Sequence, residues 1–187
     1  MQVLTQLETP RSSPTPLALT IGNFDGVHRG HQAILQKLRQ KAGDSGTVAV
    51  ITFSNHPSHV LPCKSPAPLI LTPARKLHCL RSCGADLVYL LEFTPKLAQL
   101  AYDTFLKKVK EVYPFTFLAL GEGATFGKKR EGNKQALTEL SKELDFTLEY
   151  LPKVGEDGEI ISSGKIRALL EEGNFAKAKE LLGHSFQ

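Results

Sequence analysis

Apolar runs of five or six residues recur along the chain and alternate with stretches whose apolar residues fall three and four apart. The runs Leu17–Ile21, Val48–Phe53, Leu87–Leu91, Phe115–Leu120 and Phe146–Leu151 predict five strands. Their unbroken apolar character is that of strands covered on both faces. After the first run, Ile34, Leu35, Leu38 and Ala42 share one helical face that closes at Gly43. Thr72-Pro73 and Thr94-Pro95 each place a capping hydroxyl before a proline at a helix start. The first of these helices ends at Gly84. The second carries Leu97, Ala101, Phe105 and Val109 as one stripe and stops at Pro114. Asn133 caps a helix with Leu137, Leu140 and Leu144 inside, and Asp157-Gly158 marks a turn. Ser163 and Asn174 cap two short tail helices ending at Gly173 and Gly183.

Strands alternating with helices predict an α/β fold of the Rossmann-like kind, a five-stranded parallel sheet with helices on both faces. Ligands in such sheets sit at the carboxyl ends of the strands, near the switch in strand order. Residues 1–16, with Pro10, Pro14 and Pro16, read as a flexible lead-in, and 17–187 as the domain. Residues 54–71 are a long irregular excursion of the kind that often carries function.

Composition narrows the class. The 187-residue chain is 41% hydrophobic, enough for a sizeable core, and carries a formal charge of +4. That charge is modest and spread out, with no aromatics interleaved among basic residues, so it favours an anionic small ligand over nucleic acid. Cys63, Cys79 and Cys83 form no CxxC pair and read as reduced thiols in a cytoplasmic protein. No apolar run approaches the roughly 20 residues that cross a bilayer, so no membrane partner is expected.

The turn after the first strand concentrates the chemistry. Gly22-Asn23-Phe24-Asp25-Gly26-Val27-His28-Arg29-Gly30-His31 joins a strand to a helix start. First-turn amides there lack intrahelical partners and the helix dipole favours an anion. His28 and His31 are three apart and share a face, and Gly30 between them lets a ligand approach the backbone. The spacing is neither a Walker loop nor GxGxxG. Phosphate binding, a zinc-binding His-x-x-His pair and a plain tight turn with solvated histidines all fit it; no nearby cysteine or third histidine supports the zinc reading. Ile161-Ser162-Ser163-Gly164-Lys165-Ile166-Arg167 is a second helix start, with hydroxyls and a guanidinium one turn on that could hold an anion or simply cap a helix.

The segment Gly22 to Gln32 resembles the signature of the bacterial FAD synthetase module, the FMN adenylyltransferase half of bifunctional riboflavin kinase/FAD synthetases, within the HxGH nucleotidyltransferase superfamily. Residues 161–167 resemble a family segment that usually has threonine where Gly164 stands. Thr52-Phe53-Ser54-Asn55-His56-Pro57 is similar to a flavin-lining Thr-Phe-x-Pro-His-Pro stretch, with Asn55 departing from it. Gly121 to Gly132 matches the family's glycine-rich basic loop at Gly121, Phe126, Gly127 and Gly132, and departs at Gly123 and Ala124. The resemblance implies transfer of AMP from ATP to FMN, giving FAD and pyrophosphate by in-line attack without a covalent intermediate. It implies catalytic roles for His28, His31 and Arg167. ATP contacts fall to Gly22, Asn23, Phe24, Asp25, Gly30, Ser162 and Ser163, and flavin contacts to Phe53, His56, Pro57 and Phe126. Mg²⁺ is implied through phosphate oxygens, with no protein ligand assigned. A riboflavin kinase domain in cis is expected in longer relatives and absent from this chain. The other readings are a sister nucleotidyltransferase with a different acceptor, and a flavin- or nucleotide-binding module with little turnover.

Overall fold

The computed structural model describes residues 1–7, 17–156 and 159–185. Its centre is a parallel sheet built from β1 (Gln2–Leu4), β2 (Leu17–Ile21), β3 (Thr47–Phe53), β4 (Leu87–Leu91), β5 (Phe117–Gly121) and β6 (Thr147–Leu151). The order is β1-β4-β3-β2-β5-β6. From β2 the chain steps outward through β3 and β4, then crosses to β5 and β6 on the other side. The switch in strand order therefore lies between β2 and β5, whose register pairs Leu19 with Leu118. Six strands replace the expected five. The additional one is β1, which pairs in parallel with β4 through Val3 and Val88. The expected lead-in is thus ordered over Gln2–Leu4; its proline-rich part, residues 8–16, lies outside the described residues.

Alternation along β2 divides the core. Leu17, Leu19 and Ile21 pack on one face with Phe105, Leu106 and Val109 of α4 (Tyr102–Val112) and Leu137 and Leu140 of α5 (Lys134–Glu143). Ala18 faces the opposite side with Ile34, Leu35 and Leu38 of α1 (Arg29–Ala42) and Cys79 and Leu80 of α2 (Pro73–Ser82). The buried stripe of α1 is the one its sequence spacing predicts. The helix expected from Thr94 onward is broken into α3 (Pro95–Ala98) and α4, although its apolar stripe is continuous. Beyond β6, two short antiparallel strands, β7 (Gly155–Glu156) and β8 (Glu159–Ile160), flank the predicted turn, whose residues 157–158 lie outside the description. The tail helices α6 (Ser163–Glu171) and α7 (Phe175–Leu182) form a third cluster around Ile161, Ile166 and Leu182. The cap of α6 is Ser162, not Ser163: the Ser162 hydroxyl accepts the Lys165 amide.

Gln32 ties this tail to the strand–helix turn. Its side-chain amide donates to the Val27 carbonyl at 2.8 Å and to the Leu182 carbonyl at 2.7 Å. Gln32→Leu keeps the volume and leaves both half-buried carbonyls without donors. An unmade bond of that kind costs about 1–3 kcal/mol. Urea unfolding is expected to show a loss of about 2 kcal/mol with an unchanged slope; an unaltered midpoint would remove Gln32 as the tie.

Candidate active site

The segment between β2 and α1 is strained. Phe24 and Val27 adopt positive φ of 49° and 40°, and both are buried. For a β-branched residue this is a rare backbone state that persists only when its surroundings enforce it. They do so through the carbonyls. Asn23 O accepts from the Thr52 hydroxyl at 2.8 Å and from the Lys76 ammonium at 2.9 Å. Asp25 O accepts from the Ser163 hydroxyl at 2.8 Å, and Gly26 O from His184 Nε2 at 2.8 Å. Gly26, at φ +85°, lies where a Cβ would stand 3.1 Å from Leu182 and 3.2 Å from Ile70. The excursion and the tail helices are thus fastened to one turn.

Asp25 is the knot of that fastening. Its carboxylate, with a fully buried side chain, accepts the Ile70 amide at 3.0 and 3.2 Å and the Arg167 guanidinium at 2.7 Å. Arg167 also donates from Nε to Pro68 O at 2.8 Å. The serine–arginine segment therefore meets the histidine turn on one side of the molecule.

At the mouth of α1 the rings of His28 and His31 stack with centroids 3.7 Å apart, and Phe24 lies 4.7 Å from His31. A Cβ on Gly30 would come within 3.1 Å of the His28 ring, so only glycine leaves this stack undisturbed. His28 is the N-cap of α1 but makes no side-chain cap bond. By contrast Thr72, Thr94, Asn133, Ser162 and Asn174 cap their helices. The α1 terminus thus carries its first-turn amides and positive dipole without a side-chain cap bond from His28. Burial pushes the His28 imidazole down to about 4, against a smaller upward pull from Asp25. Burial, then His28 and Lys76, hold His31 well below the ordinary histidine range. Both rings are neutral at pH 7.

In front of this mouth lies a cavity of about 580 Å³ at the carboxyl ends of β2, β3 and β5. It is within the range of small-ligand sites. Gly22, Asn23, Phe24 and His31 form one end; Phe53, Phe93, Phe105 and Phe126 form aromatic walls. Buried Thr20 Oγ1, Asn23 Oδ1, His28 Nδ1 and His31 Nδ1 have no hydrogen-bond partner among the described residues. Of these residues Thr20, Asn23 and His31 line the cavity, where an unpaired buried polar atom favours a polar ligand.

The residues singled out from the sequence fall into two groups. Gly22, Asn23, Phe24, His31, Phe53, Pro57 and Phe126 line the cavity. His28 and Gly30 stand directly behind His31. Asp25, Ser162, Ser163, His56 and Arg167 do not line it. Ser163 and Arg167 are each bonded to Asp25, Ser162 caps α6, and His56 caps the short helical turn Pro57–His59. Gly123 has open space where the family pattern carries a side chain, and Gly164 has only the Ser162 hydroxyl within 4 Å, at 3.9 Å.

Sequence reading missed Lys76. It is 1% exposed and donates to Asn23 O and, at 2.8 Å, to Phe53 O, joining the ends of β2 and β3 beneath the cavity. Burial pushes its ammonium down to about 8, with Asp25 pulling the other way. The available signal was its place in the apolar stripe of α2 with Cys79 and Leu80. Phe93 was missed because it lies past a strand end with no periodicity around it.

A family model described as FAD synthetase matches residues 11–165. The chain belongs to the FAD synthetase family. A bifunctional riboflavin kinase/FMN adenylyltransferase from Escherichia coli strain K12 is 38% identical over 172 residues, 90% of this chain and 54% of its own length. The chain thus spans about half the length of that relative. A protein named FAD synthetase from Listeria monocytogenes is 32% identical over 94% of this chain and 72% of its own. Among solved structures, one described as a macrolide-efflux protein from Streptococcus pneumoniae superposes with a TM-score of 0.80 at 28% identity, covering 94% of this chain and 57% of that one. A pantoate–β-alanine ligase from Francisella tularensis shares the fold alone, at a TM-score of 0.58 and 13% identity over 97% of this chain and 86% of that one.

The magnesium implied for the FAD synthetase family finds no cluster of three histidine, cysteine or carboxylate ligands among the described residues. Asp25, nearest the turn, has both oxygens engaged. These residues do not fit a protein-held metal centre, and no step below runs through one. Among the described residues no helix is long and apolar enough to cross a membrane.

The His28 shift fixes a pH dependence. Between about 4 and the unfolded value of 6.5 the unfolded chain binds a proton that the folded chain refuses, so stability is full above 6.5 and falls as pH drops through that window. For His28 the loss is about 3 kcal/mol by pH 4. Thermal unfolding is expected to weaken from pH 7 to 4.5 in the parent and to show a flatter slope in His28→Asn. Parallel slopes would contradict the burial of a neutral ring.

Proposed function

We propose that this chain is an FMN adenylyltransferase: it transfers AMP from ATP to FMN and releases pyrophosphate. The observation that carries the reading is the set of unpaired polar atoms on Thr20, Asn23 and His31 in an aromatic-walled cavity beside the α1 terminus, whose N-cap His28 makes no side-chain cap bond. One end suits phosphate and the other a flat heterocycle.

The FMN phosphate is an anion and needs no base. Its oxygen attacks the α-phosphorus of ATP, a P–O bond to that oxygen forms, and the bond to the β-phosphate bridge breaks, with the electron pair leaving on pyrophosphate. Work for the protein is alignment and stabilisation of spreading charge. The α1 amides meet the triphosphate without reorganisation, since their turn is already held by its carbonyls. His28 and His31 are neutral at rest and each offers an N–H. Arriving phosphate charge raises their proton affinity, so a ring can take a proton from solvent and become an imidazolium, a charged and stronger donor. Asp25 orients Arg167 and the turn rather than touching nucleotide. ATP enters with its magnesium as substrate.

The commitment of Arg167 to Asp25 and Pro68 O favours a second reading, in which the chain holds nucleotide and flavin with little turnover. Incubating the chain with FMN and magnesium ATP separates the two: FAD and pyrophosphate in equal amounts support the transferase, and flavin binding without pyrophosphate supports the second reading. Nicotinamide mononucleotide and phosphopantetheine as acceptors test a sister transferase, and are expected to give no product. Riboflavin in place of FMN tests the kinase expected only of longer relatives. His31→Ala is expected to lower kcat for FAD formation by about 10²- to 10³-fold, the scale of losing one preorganised donor to a developing oxyanion. A rate within threefold of the parent would remove His31 from the site.

A further inference from the structure

Asn55 stands where the family pattern has proline, and it is bonded in a way proline could not be. Its side-chain Nδ2 donates to Phe93 O at 2.9 Å and its Oδ1 accepts the Phe93 amide at 2.8 Å. A carbonyl only accepts and an amide N–H only donates, so these partners fix the orientation of the Asn55 amide. The carboxamide presents the donor–acceptor pair of a peptide group. It thereby prolongs the β3–β4 ladder, in which Phe53 pairs with Leu91 and the Ser54 amide donates to Leu91 O at 2.8 Å. The last rung is a side chain in place of a backbone.

That rung places an aromatic ring. Phe93 lines the cavity and meets Phe53 edge to face, with centroids 5.1 Å apart and planes at 81°. Phe53, Phe105 and Phe126 are anchored by packing against one core cluster, but Phe93 packs into none of the three clusters described. Phe105 and Phe126 make a second edge-to-face pair at 6.1 Å and 70°. The cavity is thus lined by two aromatic pairs, one held by the core and one held in part by a single carboxamide. Edge-to-face pairs set a wall at a fixed angle, which suits a rigid planar ring.

We propose that Asn55 is a positioning residue for the isoalloxazine ring of the acceptor, acting through Phe93. This rests on the reading of the cavity as the flavin site. Without the clamp Phe93 is free to turn out of the wall, and binding must re-immobilise it. That cost falls on the flavin and not on ATP.

The test is a double-mutant cycle on the whole chain, read by FMN binding (quenching of flavin fluorescence) and by the KM for ATP. Asn55→Asp keeps the shape and sets an oxygen against Phe93 O; Asn55→Ser serves if the aspartate variant unfolds below assay temperature. Asn55→Asp is expected to weaken FMN binding about tenfold and to leave the ATP KM within twofold. In a Phe93→Ala background the same change is expected to alter FMN binding by less than twofold, since the ring it places is gone. FMN binding unchanged by Asn55→Asp, equal weakening in both backgrounds, or a parallel rise in the ATP KM would each overturn the proposal. A parent that binds FMN yet makes no FAD would sink the transferase reading and leave this one standing. A parent that does not bind FMN would sink both.

Discussion

Every carbonyl from Asn23 to His28 has a donor, and that constraint organises the rest of the molecule. Thr52 and Lys76 hold the first, the Val27 amide the second, Ser163 the third, His184 the fourth, the Gln32 side chain the fifth and the Gln32 amide the sixth. Apart from the Val27 amide, which belongs to the turn itself, these donors come from β3, α1, α2, α6 and the segment after α7. A backbone with Val27 at positive φ is not stable by local preference, so the distant elements enforce it. Once the carbonyls are held this way, the uncapped first turn of α1 is left to face the cavity. The turn keeps its shape because everything around it binds the turn.

The electrostatics follow from the same packing. The rings of His28 and His31 are stacked and buried, so neither carries charge in the free protein. Lys76 sits below them, 1% exposed, with its charge spent on two carbonyls. Asp25 and Arg167 neutralise each other nearby. The site is therefore a set of dipoles with compensated charges. Such a site gains most from an anionic ligand, because preformed donors need no reorganisation.

Much of this was legible in the residues. Strand runs and the Ile34–Ala42 stripe report burial, which sequence periodicity encodes directly. The turn declared itself because glycines, histidines and a helix start rarely coincide. What stayed hidden was long-range and polar. The pairing of Arg167 with Asp25 spans 142 positions, and the clamp of Asn55 on Phe93 spans 38. Neither has a periodic trace. Lys76 lies in an apolar stripe, where lysine is rarely buried and so draws no notice. Gln2–Leu4 was too short and too exposed to alternate. The α3–α4 break escaped notice because the apolar stripe runs straight through it.

The central claim is that two neutral imidazoles at one helix mouth receive the triphosphate together. Histidine ring resonances followed by NMR through a pH titration, with and without a non-hydrolysable ATP analogue, test it most directly. The account predicts that His28 and His31 stay neutral to below pH 5 in the free chain, and that both shift and gain proton affinity on binding the analogue. Two rings that titrate near 6.5 and ignore the nucleotide would contradict it.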